Sequence, residues 1–537
     1  MLRRSWKPIA AVVTVAGPTY YLYATKYSKA TFEIPVRVKA SDGKTEMSTR
    51  TLPLLSLKEL EARMNERAST HVNPRPGGII WKHTTASLPS NDPIEDANCH
   101  QILQRDDTDA QHPGDYLFFA VMDGHGGYHT SQVLSRVLIN AVALELSQLV
   151  TKPDSISSSK GGLYGSAKSY LFGSPSQPAQ NLAGSDTMAV TVAIQNAFAK
   201  LDNELINAPL RVLANNIDEE SRKSKIIPDL SQHPLSLTAM LPAVSGSCAL
   251  MALFDTANRD LYIACTGDSR AVAGVWEPSG NGDGKGSWRV EALSEDQTGR
   301  NPDEMKRIQS EHPADEADYV IRGGRVLGGL EPSRAFGDAR YKWPRAIQET
   351  LNQAFLVGNN KPMRPPPSLF KTPPYVTARP VVTHRKLFFK PTTDEKALRF
   401  LVLATDGLWD QLTSEEVVSL VGGHLAGLKG SIPKSTLPDL IPTTSGTPTV
   451  DGKEKNSTKG SVEDGSWAFK DENLSVHLIR NAFGGGDELA LRQRLSIPAP
   501  YSRRYRDDVT VTVVWWEEGN EAEAKVSTFS EALKSKL

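Results

Sequence analysis

The sequence predicts an α+β fold of long antiparallel sheets flanked by helices, and three observations carry that prediction. Six apolar or β-branched runs, at residues 116–122, 248–254, 261–266, 272–276, 400–405 and 509–515, read as strands. Residues 131–149 and 187–207 place apolar side chains at helical spacing. Several strands alternate with helical patterns without forming the regular βαβ units of a parallel sheet.

Taken in chain order, the first strand stops abruptly at Asp123-Gly124-His125-Gly126-Gly127, and the helix of residues 131–149 follows. The second helix, at 187–207, precedes three strands, of which the one at 261–266 runs into Gly267-Asp268. Asn301-Pro302 has the form of a helix start, with a side-chain cap followed by a proline at the first helical position. The strand at 400–405 runs into Asp406-Gly407-Leu408-Trp409-Asp410, and Thr413 with Glu416 forms the Ser/Thr-x-x-Glu pattern of a capping box. Arg506-Asp507-Asp508 stands immediately before residues 509–515, a run suited to a half-buried strand.

A strand ending in Asp-Gly is more commonly a plain turn than a metal site. Here three strand ends carry carboxylates, at Asp123, Asp406 and Asp507. Brought together, such groups repel one another, and hard oxygen-seeking cations such as Mg²⁺ or Mn²⁺ remove that penalty. Zinc fits the pattern less well, because Cys99, Cys248 and Cys265 show no CxxC spacing and the histidines form no HExxH or similar helical pair.

The ordered set Ile94-Glu95-Asp96, Asp123-Gly124-His125-Gly126-Gly127, Ser245-Gly246-Ser247, Thr266-Gly267-Asp268-Ser269-Arg270, Ser333-Arg334-Ala335-Phe336-Gly337-Asp338, Thr405-Asp406-Gly407-Leu408-Trp409-Asp410 and Arg506-Asp507-Asp508 spans most of residues 87–516. In this order and spacing the chain resembles the metal-dependent serine/threonine phosphatases of the protein phosphatase 2C class. Tyr341-Lys342-Trp343, Asp487-Glu488-Leu489 and Tyr505-Arg506-Asp507-Asp508 make it most similar to their pyruvate dehydrogenase phosphatase branch.

The resemblance implies a β-sandwich of two antiparallel sheets flanked by helices, with long loop insertions and metals between the strand ends. It implies two Mg²⁺ or Mn²⁺ ions per active site, and a hydroxide bridging them that attacks a phosphoserine or phosphothreonine in line. Asp123 matches the bridging ligand, and Gly124 would offer its backbone carbonyl, since a residue without a Cβ lets the chain approach an ion closely. Asp406 and Asp507 match the remaining direct ligands, and Glu95 and Asp410 match acids that hold metal-bound water. His125 matches the position proposed to protonate the departing serine oxygen, a task suited to a group that titrates near neutral pH; the alternative is a histidine that ties down its own turn. Asp268 and Asp338 each follow a glycine at a turn, where Asp commonly bonds its own backbone, so both are expected to be structural.

Three departures from the wider family follow from single positions. Asn91 stands where many relatives carry a phosphate-gripping arginine; it supplies no charge or bidentate fork, so phosphate binding leans on the metals. Ala243 stands two residues before Ser245-Gly246-Ser247, where the pattern offers an aspartate to a third metal, so a third site is not expected. Asp508 replaces a common asparagine, either supporting the ligands from behind or standing solvated, and is not assigned as a ligand.

At 537 residues the chain has room for several domains, but the motifs are spread too evenly to divide. The expected division is a presequence at 1–32, an N-terminal extension at 33–86, one phosphatase domain at 87–516 and a tail at 517–537. Insertions are expected at 151–184, 211–242 and 427–465, of which the first and last are rich in Ser, Gly, Pro and Lys, as loops are. Residues 211–242 leave room for a helix. The formal net charge of -1 excludes a generally basic nucleic-acid binder.

Both ends carry addresses. Arg3, Arg4, Lys7, Lys26 and Lys29, with no acid before Glu33, match a mitochondrial presequence. The apolar stretch 9–24 is short for a span and contains Pro18, which leaves membrane anchoring there open. Ser535-Lys536-Leu537 is the tripeptide read by the peroxisomal import receptor, so dual targeting is expected.

The expected partners are phosphoprotein substrates, and the branch resemblance points to the pyruvate dehydrogenase E1 subunit. A noncatalytic scaffold that kept the fold and a hydrolase of small phosphorylated metabolites are the competing function classes. The complete set of ligand positions favours an active enzyme over the scaffold.

Overall fold

In the strand Asp115–His125, Tyr116, Phe118, Ala120 and Met122 point to one side and Leu117, Phe119 and Val121 to the other, the period-two alternation of a pleated strand. Both sets are buried, which is why the run reads as continuously apolar. Its neighbour Gly246–Asp255 divides in the same way, with Ala249, Met251 and Leu253 opposite Leu250, Ala252 and Phe254.

The computed structural model describes residues 30–39, 45–75, 78–104, 114–149, 187–280, 285–389, 395–446 and 465–519. Two sheets form its centre. One has the order Val381–Lys386, Asp260–Thr266, Gly246–Asp255, Asp115–His125, Ala97–Gln104, with the two-residue strand Phe336–Gly337 added against Gly246–Asp255. The other has the order Thr443–Ser445, Gly286–Ala292, Arg270–Pro278, Ala397–Ala404, Val509–Glu518, Ile79–Leu88, Ser69–Arg75.

The sheets share a core of Trp81, Phe119, Val121, Leu250, Phe254, Ile263, Leu401, Leu403, Val514 and Trp516. Helices His129–Gln148 and Thr187–Asn216 cover the outer face of the first sheet, through Leu134, Leu138, Ile194 and Phe198. Helices Ser414–Leu425 and Leu474–Phe483 cover the second, through Val417, Leu420, Val476 and Phe483. The result is the expected α+β sandwich in four layers. The capping box forms, with Thr413 Oγ1 accepting from Glu416 N at 3.1 Å, and Asn301 caps the helix Pro302–Glu311.

Several expectations are corrected. The expected boundary between an extension at 33–86 and a domain from residue 87 falls inside a strand: Ile79–Leu88 pairs along its whole length with Val509–Glu518, and Ser69–Arg75 pairs with it in turn. The polar Lys82, His83, Thr84 and Thr85 hide this strand from a hydropathy reading. Residues 509–514 are buried on both faces, because Thr510 and Thr512 fill positions that alternate with Val509, Val511 and Val513. The segment 427–465 is not only loop. Its strand Thr443–Ser445 adds to the sheet edge in parallel to Gly286–Ala292, the exception to the antiparallel order, and Gly430–Pro433 pairs with Ser466–Phe469. Residues 211–242 hold the end of the long helix, the helix Glu219–Ser224 and most of the helix Ser236–Val244.

The segment 151–184, the apolar stretch 9–24 and Ser535-Lys536-Leu537 lie outside the described residues. Among the described residues no helix is long and apolar enough to cross a membrane.

Candidate active site

Three carboxylates meet where the two sheets come together. Asp123 lies near the end of its strand, opposite Cys248. Asp406 begins the short helix Asp406–Trp409 two residues after the strand Ala397–Ala404. Asp268 lies in the turn between Asp260–Thr266 and Arg270–Pro278, where the chain leaves one sheet for the other. Oxygens of Asp123, Asp268 and Asp406 all lie within 4.8 Å of one another.

Asp268 therefore has more than the turn role expected of it: the crossover between sheets carries it to the other two acids. Cys248 Sγ donates to its Oδ1 at 3.2 Å. Burial, and then the charges of Asp406, Asp96 and Asp268, hold the Asp123 carboxyl well above the usual carboxylate range. Asp96, 5% exposed, is raised likewise by burial and by Asp508; Thr405 Oγ1 donates to its Oδ2 at 2.9 Å, and its Oδ1 is buried without a hydrogen bond.

This concentration of buried negative charge, an orphaned carboxylate oxygen beside it and an all-oxygen donor set fit a hard divalent cation. The backbone is shaped to match. A Cβ on Gly124 would overlap the Glu95 carbonyl, so glycine there lets the two chain segments touch.

The expected outer acids divide. Glu95 Oε1 accepts from Gly127 N at 2.7 Å and Oε2 from Asn91 Nδ2 at 3.2 Å, and burial raises its pKa. Asp410 N donates to Asp406 O at 2.8 Å, closing the helical turn. Asp507, expected as a direct ligand, is not in the trio; its carboxylate pairs with Arg503 and accepts from Asp508 N at 2.7 Å.

Asp508 is buried, not solvated. Its Oδ1 accepts from Asn91 N at 2.8 Å, and its Oδ2 from Glu95 N at 2.8 Å and Asn91 Nδ2 at 3.0 Å, so it pins the segment that carries Glu95. Both hydrogen bonds of the Asn91 amide nitrogen go to carboxylates, those of Glu95 and Asp508. Ala243 is buried in the helix Ser236–Val244.

His125 Nε2 lies 2.7 Å from Asp338 Oδ2. Burial alone would lower the imidazole pKa, but the charge and hydrogen bond of Asp338 outweigh it and the net shift is upward. Asp338 is thus more than a turn residue. It has φ of 49° and follows Gly337 at 69°, a left-handed pair anchored by Asp338 N donating to Ser245 O at 2.9 Å. Gly246 makes room for the pair, since a Cβ there would overlap both His125 Nε2 and the Asp338 carboxylate.

Behind this pair, Asp202 of the long helix accepts from Gly337 N at 2.9 Å and from Lys342 Nζ at 2.7 Å. Lys342 also donates to Ala335 O at 2.8 Å, which fixes the loop that presents Asp338.

The family model for protein phosphatase 2C matches residues 93–429, a stretch that contains Asp123, His125, Asp268 and Asp406. The chain belongs to the protein phosphatase 2C family. It is a serine/threonine protein phosphatase of this metal-dependent family. It is 35% identical to the mitochondrial pyruvate dehydrogenase phosphatase 1 of Saccharomyces cerevisiae, over 90% of this chain and 76% of that one. It is 36% identical to a protein phosphatase 2C homologue of Schizosaccharomyces pombe, over 82% and 81%, and 32% identical to the rat mitochondrial pyruvate dehydrogenase phosphatase 1, over 80% and 76%.

Sequence reasoning missed Asp96 and Asp202 as parts of this phosphatase site. Asp96 could have been found from its place beside Glu95 in the matched motif. Asp202 carries no local signal, because it is a charged residue on an amphipathic helix and its partner lies 140 positions away.

Proposed function

We propose that the chain removes phosphate from phosphoserine or phosphothreonine of proteins through two Mg²⁺ or Mn²⁺ ions held at the carboxylate cluster. The convergence of Asp123, Asp268 and Asp406 is the observation that carries this reading. When bound, such ions activate the attacking water at neutral pH and stabilise charge on the phosphoryl oxygens. Asp123 and Asp406 would hold them, with the Gly124 carbonyl. Asp507, paired with Arg503 here, would complete the set of residues that hold them. Glu95 and Asp410 would orient water at such ions.

His125 gives a proton to the leaving serine oxygen. Asp338 supports that role by orienting the ring through Nε2 and favouring its protonated form. The chain needs no Ser or Cys nucleophile in this scheme.

The relatives named mitochondrial pyruvate dehydrogenase phosphatase support the phosphorylated E1 subunit as substrate and the mitochondrion as the site of action. Phosphate release should be compared between a phosphoserine peptide of E1, unrelated phosphopeptides and sugar phosphates. Preference for the E1 peptide supports the assignment; equal turnover of sugar phosphates would favour a metabolite hydrolase, and no turnover a scaffold. A reporter carrying residues 526–537 tests the peroxisomal half of the expected targeting, and a cytosolic signal would remove it.

A further inference from the structure

His71 and His83 face each other across paired strands, and His100 reaches them from the other sheet. Ser69–Arg75, which carries His71, is the outermost strand of its sheet, and Ala97–Gln104, which carries His100, is the outermost strand of the other. Ring centroids are 4.5 Å apart for His71 and His83, 4.6 Å for His71 and His100, and 4.4 Å for His83 and His100. One nitrogen from each lies within 4.8 Å of the others.

His83 is 1% exposed, and both its ring nitrogens are buried without a hydrogen-bond partner. A buried imidazole almost always satisfies at least one nitrogen, so this ring is built for a partner of another kind. Phe119 closes the inner side, with its ring 5.0 Å from that of His83. Exposed His100 leaves the outer side open, and Ser69 Oγ, 3.2 Å from His71 Nε2, steadies the third ring.

We propose that His71, His83 and His100 form a second metal site, for zinc or a similar borderline ion, that clips the edges of the two sheets together. Three imidazoles and one solvent molecule give the four-coordinate arrangement such ions favour, whereas the hard ions of the carboxylate cluster prefer oxygen. Metal–nitrogen bonds of about 2.0–2.1 Å put tetrahedral ligands about 3.4 Å apart, and because the His71 and His83 rings are stacked with their planes 10° apart, one of them must turn for both in-plane lone pairs to meet at one ion. The site is separate in chemistry and place: His100 is paired with Phe119, four residues before Asp123 on the strand Asp115–His125, roughly 13 Å at the rise of an extended chain. His83 and His100 flank the segment that carries Asn91, Glu95 and Asp96, so the ion would brace that segment from both ends.

The test is Zn²⁺ titration of the full chain against a chromogenic chelator, in millimolar Mg²⁺ to load the carboxylate cluster. We expect one equivalent of Zn²⁺ bound at micromolar concentration or tighter, and at least tenfold weaker binding in both His71→Gln and His100→Gln. Replacing His83 would confuse ligation with packing, so the exposed His100 is the decisive position, and unchanged Mg²⁺-supported phosphatase activity shows that His100→Gln is folded. Zinc affinity equal in the wild type and both variants, or no tight zinc binding, would overturn the site.

Discussion

Asp338 Oδ2 stands 2.7 Å from His125 Nε2, although 213 positions separate the two residues in the chain. The pair exists because a left-handed turn at Gly337-Asp338 lies against the end of the Asp123 strand, with Gly246 leaving space between. If His125 protonates the leaving oxygen, its loss matters most where that oxygen is a poor leaving group. His125→Gln is expected to lower kcat on a phosphoserine peptide by about 10²–10⁴-fold, and to lower it far less on p-nitrophenyl phosphate, whose leaving group needs no proton. Steady-state kinetics on the two substrates provide the check. Asp338→Asn should show the same pattern at smaller amplitude.

Gly246→Ala should mimic the loss of that pair without removing either partner. The added methyl cannot fit, so the two side chains must separate. Overpacking of this kind costs about 1–3 kcal/mol, readable in urea unfolding, and the preference for p-nitrophenyl phosphate should appear here too.

Asp202 and Lys342 form a buried ion pair, with side chains 9% and 4% exposed. Lys342→Met leaves the Asp202 carboxylate buried beside one backbone donor, and a loss of about 3–5 kcal/mol is expected. The double variant with Asp202→Asn should recover part of it. Denaturant unfolding of the single and double variants measures both.

Glu304 is a hub: Ser333 Oγ donates to it at 2.6 Å, Arg334 Nη2 at 2.6 Å and Arg307 Nη2 at 2.8 Å. Burial alone would raise its carboxyl, but Arg334 and Arg307 outweigh burial and bring it down from 4.5 to about 2. A folded-state value below the unfolded one gives stability that is complete above about pH 4.5 and is lost as pH falls toward 2. That contribution is on the order of 3 kcal/mol. Glu304→Gln should therefore be clearly less stable than the wild type at pH 7, with the gap closing as the pH is lowered to 3. Thermal unfolding across that range tests it.

Asp123 and Asp406 were legible in the sequence because each closely follows an apolar strand, so local pattern alone fixes where the carboxylate stands. Asp268 was not, because Gly-Asp between two strands is an ordinary turn signal, and only the change of sheet at that turn brings the acid to the cluster. Asp507 differs from both: it stands just before a strand rather than at the end of one, and Arg503, four residues earlier, pairs with its carboxylate. Most strands of the two sheets were legible as apolar or β-branched runs, but Ile79–Leu88 was not, since His83, Thr84 and Thr85 are polar residues with buried side chains. The histidine cluster depends on sheet register, which pairs His71 with His83 across strands rather than at helical spacing.

The most direct measurement is phosphate release from a phosphoserine peptide by the wild type and by Asp406→Asn, as a function of Mn²⁺ or Mg²⁺ and with EDTA. Metal-dependent turnover that EDTA abolishes is expected. In Asp406→Asn, kcat/KM should fall by more than the ~10–100-fold that follows loss of an outer metal partner. Turnover that survives EDTA, or an Asp406→Asn variant as active as the wild type, would contradict a catalytic metal centre at these carboxylates.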